Sequence, residues 1–206
     1  TSAATSAVTN VNDHPTGSVT ITGTATEDQT LTAANTLADE DGLGTISYQW
    51  KRAGTAISGA TSTTYTLTQS DVGSVITVAV SFTDDLSTAE TATSSATAAV
   101  ANVNDDPTGS VTVTGTAQED ETLGIATSQI ADEDGLGTFA YQWNRAGTAI
   151  SGANGLVYTL TQADVNSAIT VTVSYTDAQG TAESVTSAAT SAVANVNAAA
   201  PVSLSR

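Results

Sequence analysis

The sequence of 206 residues predicts an all-β chain built from two similar β-sandwich repeats. Three observations lead to this fold class. Nearly the whole of one unit is repeated at a fixed offset, which is the signature of tandem modules. Apolar residues alternate with polar ones at a period of two, as in half-buried strands. Clusters of Gly, Asp and Ser separate these runs, and no helical pattern interrupts them.

The repeat is visible letter by letter in two motifs. Residues 10–19 recur at residues 102–111 with one substitution, an offset of 92. Residues 38–44 recur unchanged at residues 131–137, an offset of 93. One residue is therefore inserted between these motifs in the second repeat.

The first residues belong to the same pattern, because residues 1–8 are identical to residues 186–193 at the end of the second repeat. We therefore expect the chain to be cut from a longer array. The predicted domains are the last strand and linker of a preceding repeat (1–13), repeat 1 (14–104), repeat 2 (105–197) and a tail (198–206).

Each predicted strand of repeat 1 has an apolar face. Its members are Val19 and Ile21; Leu31 and Ala33; Ile46, Tyr48 and Trp50; Ile76, Val78, Val80 and Phe82; and Ala96, Ala98 and Val100. About seven short strands in about 93 residues are typical of an immunoglobulin-type sandwich. The sequence thus predicts two tandem immunoglobulin-like β-sandwich domains in an extended array. Trp50 and Trp143 fall on the inward face, which favours a place in the core over an exposed sugar-binding platform.

The net charge of the chain limits the kinds of molecule that it can bind. The chain has 21 acidic and 4 basic residues and a net charge of −17, so it repels phosphates and anionic lipid headgroups. We expect no nucleic acid and no membrane insertion, and cations are the partners that suit such a surface. Cysteine is absent, so each repeat must be stabilised by its own core.

Catalysis is not expected. The one histidine, His14, is replaced by Asp106 in the second repeat, and there is no cysteine nucleophile. The paired carboxylates Asp84 and Asp85 become Asp177 and Ala178, which is typical of a loop and not of an acid–base pair.

Residues 48–50, 56–60 and 65–73 together resemble the bacterial immunoglobulin-like repeats of giant repetitive surface adhesins, including the RTX-type adhesins exported by type I secretion. The resemblance implies an extracellular location on the bacterial surface. It also implies a spacer that projects a distal ligand-binding domain in cell adhesion or biofilm formation. The partners would be neighbouring repeats of the same chain, and we expect a monomer. The alternative is that the repeats themselves bind a glycan or another cell.

A second resemblance concerns calcium. Residues 102–106, Asn-Val-Asn-Asp-Asp, are similar to the calcium-binding linkers of cadherins, and residues 132–134 are similar to the Asp-x-Asp motif of their B–C loop. Glu27 and Glu119 stand where those domains place a glutamate. The resemblance implies Ca²⁺ at the junctions between repeats.

The sandwich topology itself gathers oxygen ligands at the middle junction. The A–B and E–F loops lie at one end of a repeat, and the B–C and F–G loops lie beside the incoming linker. Hard oxygen ligands in such number suit Ca²⁺, and close carboxylates without a counter-ion repel one another. The alternative is a set of solvated turns. The predicted ligands are Glu27, Asp28, Asp71, Asn102, the backbone carbonyl of Val103, Asn104, Asp105, Asp132, Asp134 and Asp177.

Overall fold

The computed structural model describes residues 2–196 and divides the chain into two compact units, Thr1–Val103 (unit 1) and Asn104–Arg206 (unit 2). The unit boundary follows Val103, one residue before the boundary set from the repeat. The tail predicted at residues 198–206 lies outside the described residues, as do Thr1 and Asn197.

Over residues 2–196 the regular structure consists of β-strands and two short 3₁₀ turns, which confirms the all-β prediction. The strands of unit 1 are β1 (Val19–Thr22), β2 (Thr30–Asn35), β3 (Ser47–Arg52), β4 (Thr55–Ala56), β5 (Thr64–Thr66), β6 (Ile76–Thr83) and β7 (Ala89–Thr93). Those of unit 2 are β8 (Thr112–Thr114), β9 (Thr122–Ala126), β10 (Ala140–Arg145), β11 (Thr148–Ala149), β12 (Val157–Thr159), β13 (Ile169–Thr176) and β14 (Ala182–Thr186).

Each unit has two antiparallel sheets, which makes it an immunoglobulin-like sandwich. In unit 1 one sheet has the strand order β1-β2-β5 and the other β4-β3-β6-β7. In unit 2 the orders are β8-β9-β12 and β11-β10-β13-β14. The two longest strands pair in the same register in both units, with Trp50 opposite Val78 and Trp143 opposite Val171.

The last strand of unit 1 does not lie where the sequence pattern predicted it. Ala96 and Ala98 are exposed and lie in no strand, whereas Ala89–Thr93 forms β7. Strand β7 carries Glu90 and two threonines in place of an apolar face, so the period-two pattern does not reveal it. Val100 is buried as predicted, and it forms an isolated bridge with Val72.

One octapeptide has different surroundings at its two positions. Residues 2–15 form no strand, but at the end of unit 2 Val193 and Ala194 bridge to Val165 and Gln118. That residues 1–13 hold the last strand and linker of a preceding repeat stays a prediction. A strand end needs backbone partners, and Val165 and Gln118 supply them in unit 2.

A hydrophobic core lies between the sheets of each unit. Trp50 and Trp143 are fully buried at its centre, and each indole N–H donates to a backbone carbonyl, of Ser62 (2.8 Å) or Gly155 (3.0 Å). Leu31, Ile76, Val78, Val80 and Phe82 surround Trp50. The predicted inward face of the central strands is confirmed, and the tryptophans are core residues.

A buried ion pair closes the corner before β6. Asp71, at the end of the 3₁₀ turn Gln69–Asp71, accepts hydrogen bonds from Arg52 Nε (2.7 Å) and the Tyr65 hydroxyl (2.8 Å). It also accepts from the backbone N–H and the hydroxyl of Thr68, at 2.9 and 3.1 Å. The same network recurs in unit 2 around Asp164. Asp71 was predicted to lack a counter-ion and to face a cation, but Arg52 and three other donors already occupy its oxygens.

We expect Trp143→Ala to lower the unfolding free energy of unit 2 by about 3–5 kcal/mol, because it leaves a large cavity in a closed core. Urea unfolding of the whole chain tests this. Circular dichroism should show an early transition for unit 2, while the fluorescence of Trp50, then the sole tryptophan, should keep its midpoint. Leu156→Ala, at a side chain that is 61% exposed, is the control and should cost under about 1 kcal/mol. A similarly small loss for Trp143→Ala would contradict the core assignment.

The corner should also make stability depend on acid. Burial by itself raises the pKa of Asp71, but the hydrogen bonds from Arg52, Thr68 and Tyr65 outweigh it and leave that pKa below its usual value. The ionised carboxylate therefore stabilises the fold above the unfolded-state pKa of about 4, and this contribution is lost as pH falls through the lower folded-state pKa.

We expect Asp71→Asn to cost about 2–3 kcal/mol at pH 7, because it removes the charge that Arg52 faces. The difference between wild type and Asp71→Asn should shrink as pH falls from 5 to 2. Unfolding free energies at several pH values measure it. A difference that stays constant over this range would show that the corner is not ionised.

Candidate functional site

Carboxylates gather at both ends of each sandwich. The carboxyl pole of unit 1 is formed by the turn at residues 23–29 and the last residues, 100–103. Its amino pole is formed by residues 10–16 with the loops at residues 36–46 and 84–88. The corresponding parts of unit 2 are called by the same names.

At the carboxyl pole, parallel bridges hold the end of the chain against the first turn. The N–H of Glu27 donates to the carbonyl of Ala101, and the N–H of Ala101 donates to the carbonyl of Ala25, both at 2.9 Å. This pairing brings the N–H of Val103 to Glu27 Oε2 at 3.2 Å. Glu27 is only 2% exposed, so a buried carboxylate receives the linker backbone.

Unit 2 repeats this arrangement within its own residues. Glu119 is buried, and its Oε2 accepts from the N–H of Val196 at 3.3 Å. The parallel bridge between Gln118 and Ala194 in unit 2 corresponds to the one between Thr26 and Ala101 in unit 1. The repeated sequence therefore forms the same carboxyl pole in both units.

Three other predicted ligands of unit 1 differ in position. Asn102 is half-buried, and over residues 2–196 its Oδ1 has no hydrogen-bond donor. Asp28 follows Glu27 but is exposed, with φ at 61°, so the turn directs the two acids differently. Asp71 lies in the corner with Arg52. Glu27, Asn102 and Val103 are therefore gathered at the carboxyl pole, whereas Asp28 and Asp71 are not part of this group.

At the amino pole of unit 2, the linker binds the loop after β9. The N–H of Asp105 donates to Asp134 Oδ2 at 2.9 Å, and Asp134 is 2% exposed. The N–H of Asp134 donates to Asp132 Oδ1 at 2.9 Å, and the Tyr175 hydroxyl donates to Asp132 Oδ2 at 2.5 Å. Four residues from three segments are thus joined by hydrogen bonds.

The F–G loop adds Asp177 to the same pole. Its Oδ1 accepts from the N–H groups of Gln179 and Thr181, both at 2.8 Å, whereas its Oδ2 is buried with no donor in the part of the chain described. Asn104 donates from Nδ2 to Glu183 Oε1 at 3.0 Å. The five ligands predicted for unit 2, including Asn104 and Asp105, all lie at its amino pole.

The amino pole of unit 1 has the same plan. Asp41 accepts hydrogen bonds from the Asn10 side chain and from the N–H of Asp13, the latter at 2.6 Å. Asn12 donates to Glu90 Oε1 at 2.8 Å. Two separate copies of the sequence therefore build one arrangement, in which linker N–H groups bind a loop carboxylate.

Glycine allows the acidic loop to lie this close to the sheet. A Cβ atom at Gly44 would approach the carbonyl oxygen of Thr83 to 2.0 Å, and one at Gly137 would approach that of Thr176 to 1.9 Å. Only glycine tolerates such an approach of backbone to backbone. The Gly at the end of the repeated acidic motif therefore fixes the loop at the pole.

Basic partners are few. Over residues 2–196 the ion pairs are Arg52–Asp71, Arg145–Asp164 and the contact of His14 with Glu90 at 3.5 Å. The His14 side chain is 88% exposed, so solvent screens most of its effect. Burial raises the pKa of Tyr175, and the charges of Asp132, Glu183 and Asp177 raise it further, so its hydroxyl stays protonated and donates at neutral pH.

Chemically, each pole is a set of hard oxygen atoms with few donors. Buried carboxylate oxygens without a donor cost free energy, and a divalent cation offsets that cost. Carboxylate, amide and backbone oxygens are the ligands that Ca²⁺ takes, usually six to eight at a time. The residues present could therefore hold a hard divalent cation.

Two residues of the pole were missed by the sequence analysis. Glu183 stands opposite Tyr175 in the β13–β14 register and accepts from Asn104. The sequence contained a signal for Glu183, because a glutamate recurs at the same place, Glu90 and Glu183, in two strands that otherwise carry small residues. Tyr175 was overlooked because it occupies a core position that is Phe82 in the first repeat.

Comparison with known proteins shows similarity only at the level of structure, since no protein-family model and no curated protein match the sequence. The three N-terminal domains of the bacteriophage RB49 highly immunogenic outer capsid protein (Hoc) match with 19% identity and a TM-score of 0.30. That alignment covers 84% of this chain and 58% of the Hoc chain. The tandem Ig repeats of Dlar match with 11% identity and a TM-score of 0.26, over 86% of this chain and 95% of that one.

The fold is compatible with a role other than catalysis. Over the described range, no helix is both long and apolar enough to cross a membrane.

Proposed function

We propose that these repeats are extender modules of a large bacterial cell-surface adhesin, stiffened by Ca²⁺ where one repeat joins the next. The observation that carries this proposal is that linker backbone N–H groups donate to buried carboxylates at the poles. Val103 donates to Glu27 in unit 1, and Asp105 donates to Asp134 in unit 2.

Covalent geometry supports a shared ion. Val103 and Asp105 are two residues apart, and each residue of an extended chain spans at most about 3.6 Å. The linker that holds a carboxyl-pole glutamate is thus continuous with the one that holds amino-pole aspartates. The proposed ligands are Glu27, Asn102, the carbonyl of Val103, Asn104, Asp105, Asp132, Asp134 and Asp177.

The proposed mechanism is conformational. An ion bound by both repeats and by their linker removes hinge freedom from the linker only while it is bound. Each core is complete within its own unit, with a buried tryptophan at its centre. Removal of calcium should therefore loosen the junction and leave the sandwiches folded.

The remaining parts of the proposal follow from this role. The partners are neighbouring repeats of the same chain, and the location is the outside of a bacterium, where Ca²⁺ is abundant. The net charge of −17 disfavours nucleic acid and anionic lipid. The alternative of a glycan-binding module is less favoured, because both tryptophans are buried and neither is available to stack on a sugar.

We expect Ca²⁺ at a hundredfold excess over Kd to raise the unfolding free energy by about 2.7 kcal/mol, if it binds the native state alone. Small-angle scattering of the whole chain with calcium and with a chelator tests the stiffening. Chelation should broaden the distribution of maximum dimensions, and the double variant Asp132→Ala with Asp134→Ala should behave in calcium as wild type does in chelator.

Asp28→Ala is the matched control, because it removes an exposed acid beside Glu27 and should keep the wild-type response. If chelation leaves the wild-type scattering unchanged, the stiffening mechanism is wrong. If calorimetry also detects no calcium binding, the poles are solvated turns.

The chain should be a monomer in solution, because every copy carries the same large negative charge and copies repel one another. Light scattering at micromolar concentration measures the mass. A stable dimer in calcium would contradict this expectation and favour a direct adhesive role for the repeats.

A further inference from the structure

One dipeptide of unit 2 has a reactivity that unit 1 lacks. Asn154 is followed by Gly155, and no other asparagine of the sequence precedes a glycine. The equivalent residues of unit 1 are Thr61 and Ser62. The backbone nitrogen of the residue after an asparagine is a nucleophile for the side-chain amide, and glycine hinders that attack least because it has no Cβ atom. Unit 2 therefore carries a candidate site of spontaneous modification.

The fold leaves both reacting groups of this dipeptide accessible. Asn154 and Gly155 are exposed and lie outside the strands, between the turn at residues 151–152 and β12. Within residues 2–196, neither the side-chain amide of Asn154 nor the N–H of Gly155 has a hydrogen-bond partner. No ladder or turn hydrogen bond has to break before the nitrogen of Gly155 approaches the amide carbon.

Asn166 has the opposite arrangement and serves as an internal reference. It is also exposed, and a small residue, Ser167, follows it. The N–H of Ser167 donates to the carbonyl of Asp164 at 2.9 Å. This hydrogen bond must break before the nitrogen of Ser167 can attack, so we expect Asn166 to be protected in the folded chain.

Trp143 holds the main chain on both sides of the reactive dipeptide. Its backbone N–H donates to the carbonyl of Ala153 at 2.9 Å, and its indole N–H donates to the carbonyl of Gly155 at 3.0 Å. The indole is fully buried in the core of unit 2. A change in the length of the main chain between these two carbonyls therefore disturbs a hydrogen bond of the core tryptophan.

We propose that Asn154 and Gly155 form a site of spontaneous deamidation, and that Trp143 transmits this modification to the core of unit 2. In the first step the nitrogen of Gly155 bonds to Cγ of Asn154, and the bond from Cγ to Nδ2 breaks. Ammonia leaves with the proton of the Gly155 N–H. Water then opens the cyclic imide, at Cγ to give aspartate or at the backbone carbonyl to give isoaspartate.

The two products differ in their effect on the fold. Each adds a negative charge to a segment, residues 146–163, that carries no charged residue. Isoaspartate also inserts its Cβ atom into the main chain between the two carbonyls that Trp143 holds. The indole N–H then loses the carbonyl of Gly155, and a buried donor without an acceptor is destabilising. We therefore expect isoaspartate to destabilise unit 2, whereas the exposed charge alone has little effect.

Incubation of the 206-residue chain in mildly alkaline buffer, followed by peptide mapping with mass spectrometry, tests the chemistry. Conversion should occur at Asn154 before Asn166, and its rate should rise with pH because the attacking nitrogen must lose its proton. Gly155→Ser should slow the conversion by about tenfold or more, because a side chain now hinders the attack. This variant fits the fold, since a Cβ atom at Gly155 would come no closer than 3.4 Å to Val157.

The reaction should also be transferable to unit 1. Trp50 makes the same two contacts there, because it donates to the carbonyl of Ala60 at 3.0 Å and to that of Ser62 at 2.8 Å. The double substitution Thr61→Asn with Ser62→Gly should therefore create a second site of conversion. Peptide mapping should find it at a rate similar to that of Asn154.

Urea unfolding followed by circular dichroism measures the effect on the core. Ion-exchange chromatography separates the modified chains, and peptide mapping identifies the fraction that contains isoaspartate. We expect this fraction to show an early transition for unit 2. Asn154→Asp is the matched control, because it adds the charge without lengthening the main chain, and it should keep the transition of the unmodified chain.

Two results would overturn the inference. If Asn154 stays intact in the folded chain while it converts in urea, the loop protects it and the site is not reactive. If isoaspartate leaves the transition of unit 2 unchanged, Trp143 does not transmit the modification. The reaction needs no cation, so neither result bears on the calcium proposal.

Discussion

The chain is constrained above all by the burial of carboxylates at the ends of its sandwiches. Glu27 and Asp134 are each 2% exposed, and each accepts a hydrogen bond from the backbone of the linker. Ionised groups remain buried only when hydrogen bonds or counter-charges compensate them. The linker N–H groups supply part of this compensation, and each of these hydrogen bonds holds linker backbone against its own unit.

The acids of this protein are compensated in two ways. In the corner before β6, a protein cation suffices, since Arg52 and three other donors surround Asp71. At the poles, backbone N–H groups and a tyrosine hydroxyl donate to the carboxylates in place of a protein cation. Asp84 Oδ2 and Asp177 Oδ2 have no donor within residues 2–196. The first kind of acid stabilises a single sandwich. The second kind is suited to an external cation, and the proposed role at the junctions depends on it.

Because the sequence is repeated, equivalent residues of the two units can be compared directly. Glu27 and Glu119 make equivalent contacts in the two units, and so do Asp84 and Asp177. A contact that occurs in both units is therefore encoded by the repeated sequence. The difference between Phe82 in unit 1 and the equivalent Tyr175 in unit 2 can then be judged against the contacts that both units share. Repeated modules can in this way differ in the hydrogen bonding of one buried carboxylate while keeping one fold.

The sequence by itself determined the fold class, the repeat and the buried face of the central strands, because period-two alternation and self-similarity are local properties that survive without coordinates. It also brought Asp132, Asp134 and Asp177 to one pole, since loop order follows from topology. Only the tertiary structure decided which acids are already neutralised. Asp71 looked like a ligand until Arg52, 19 positions earlier, was seen to pair with it. Glu183 and Tyr175 lie at the amino pole of unit 2 because the register of β13 and β14 places them opposite each other. Strand β7 was not predicted because it lacks an apolar face. Pairing across strands depends on distant residues, which no local pattern in the sequence encodes.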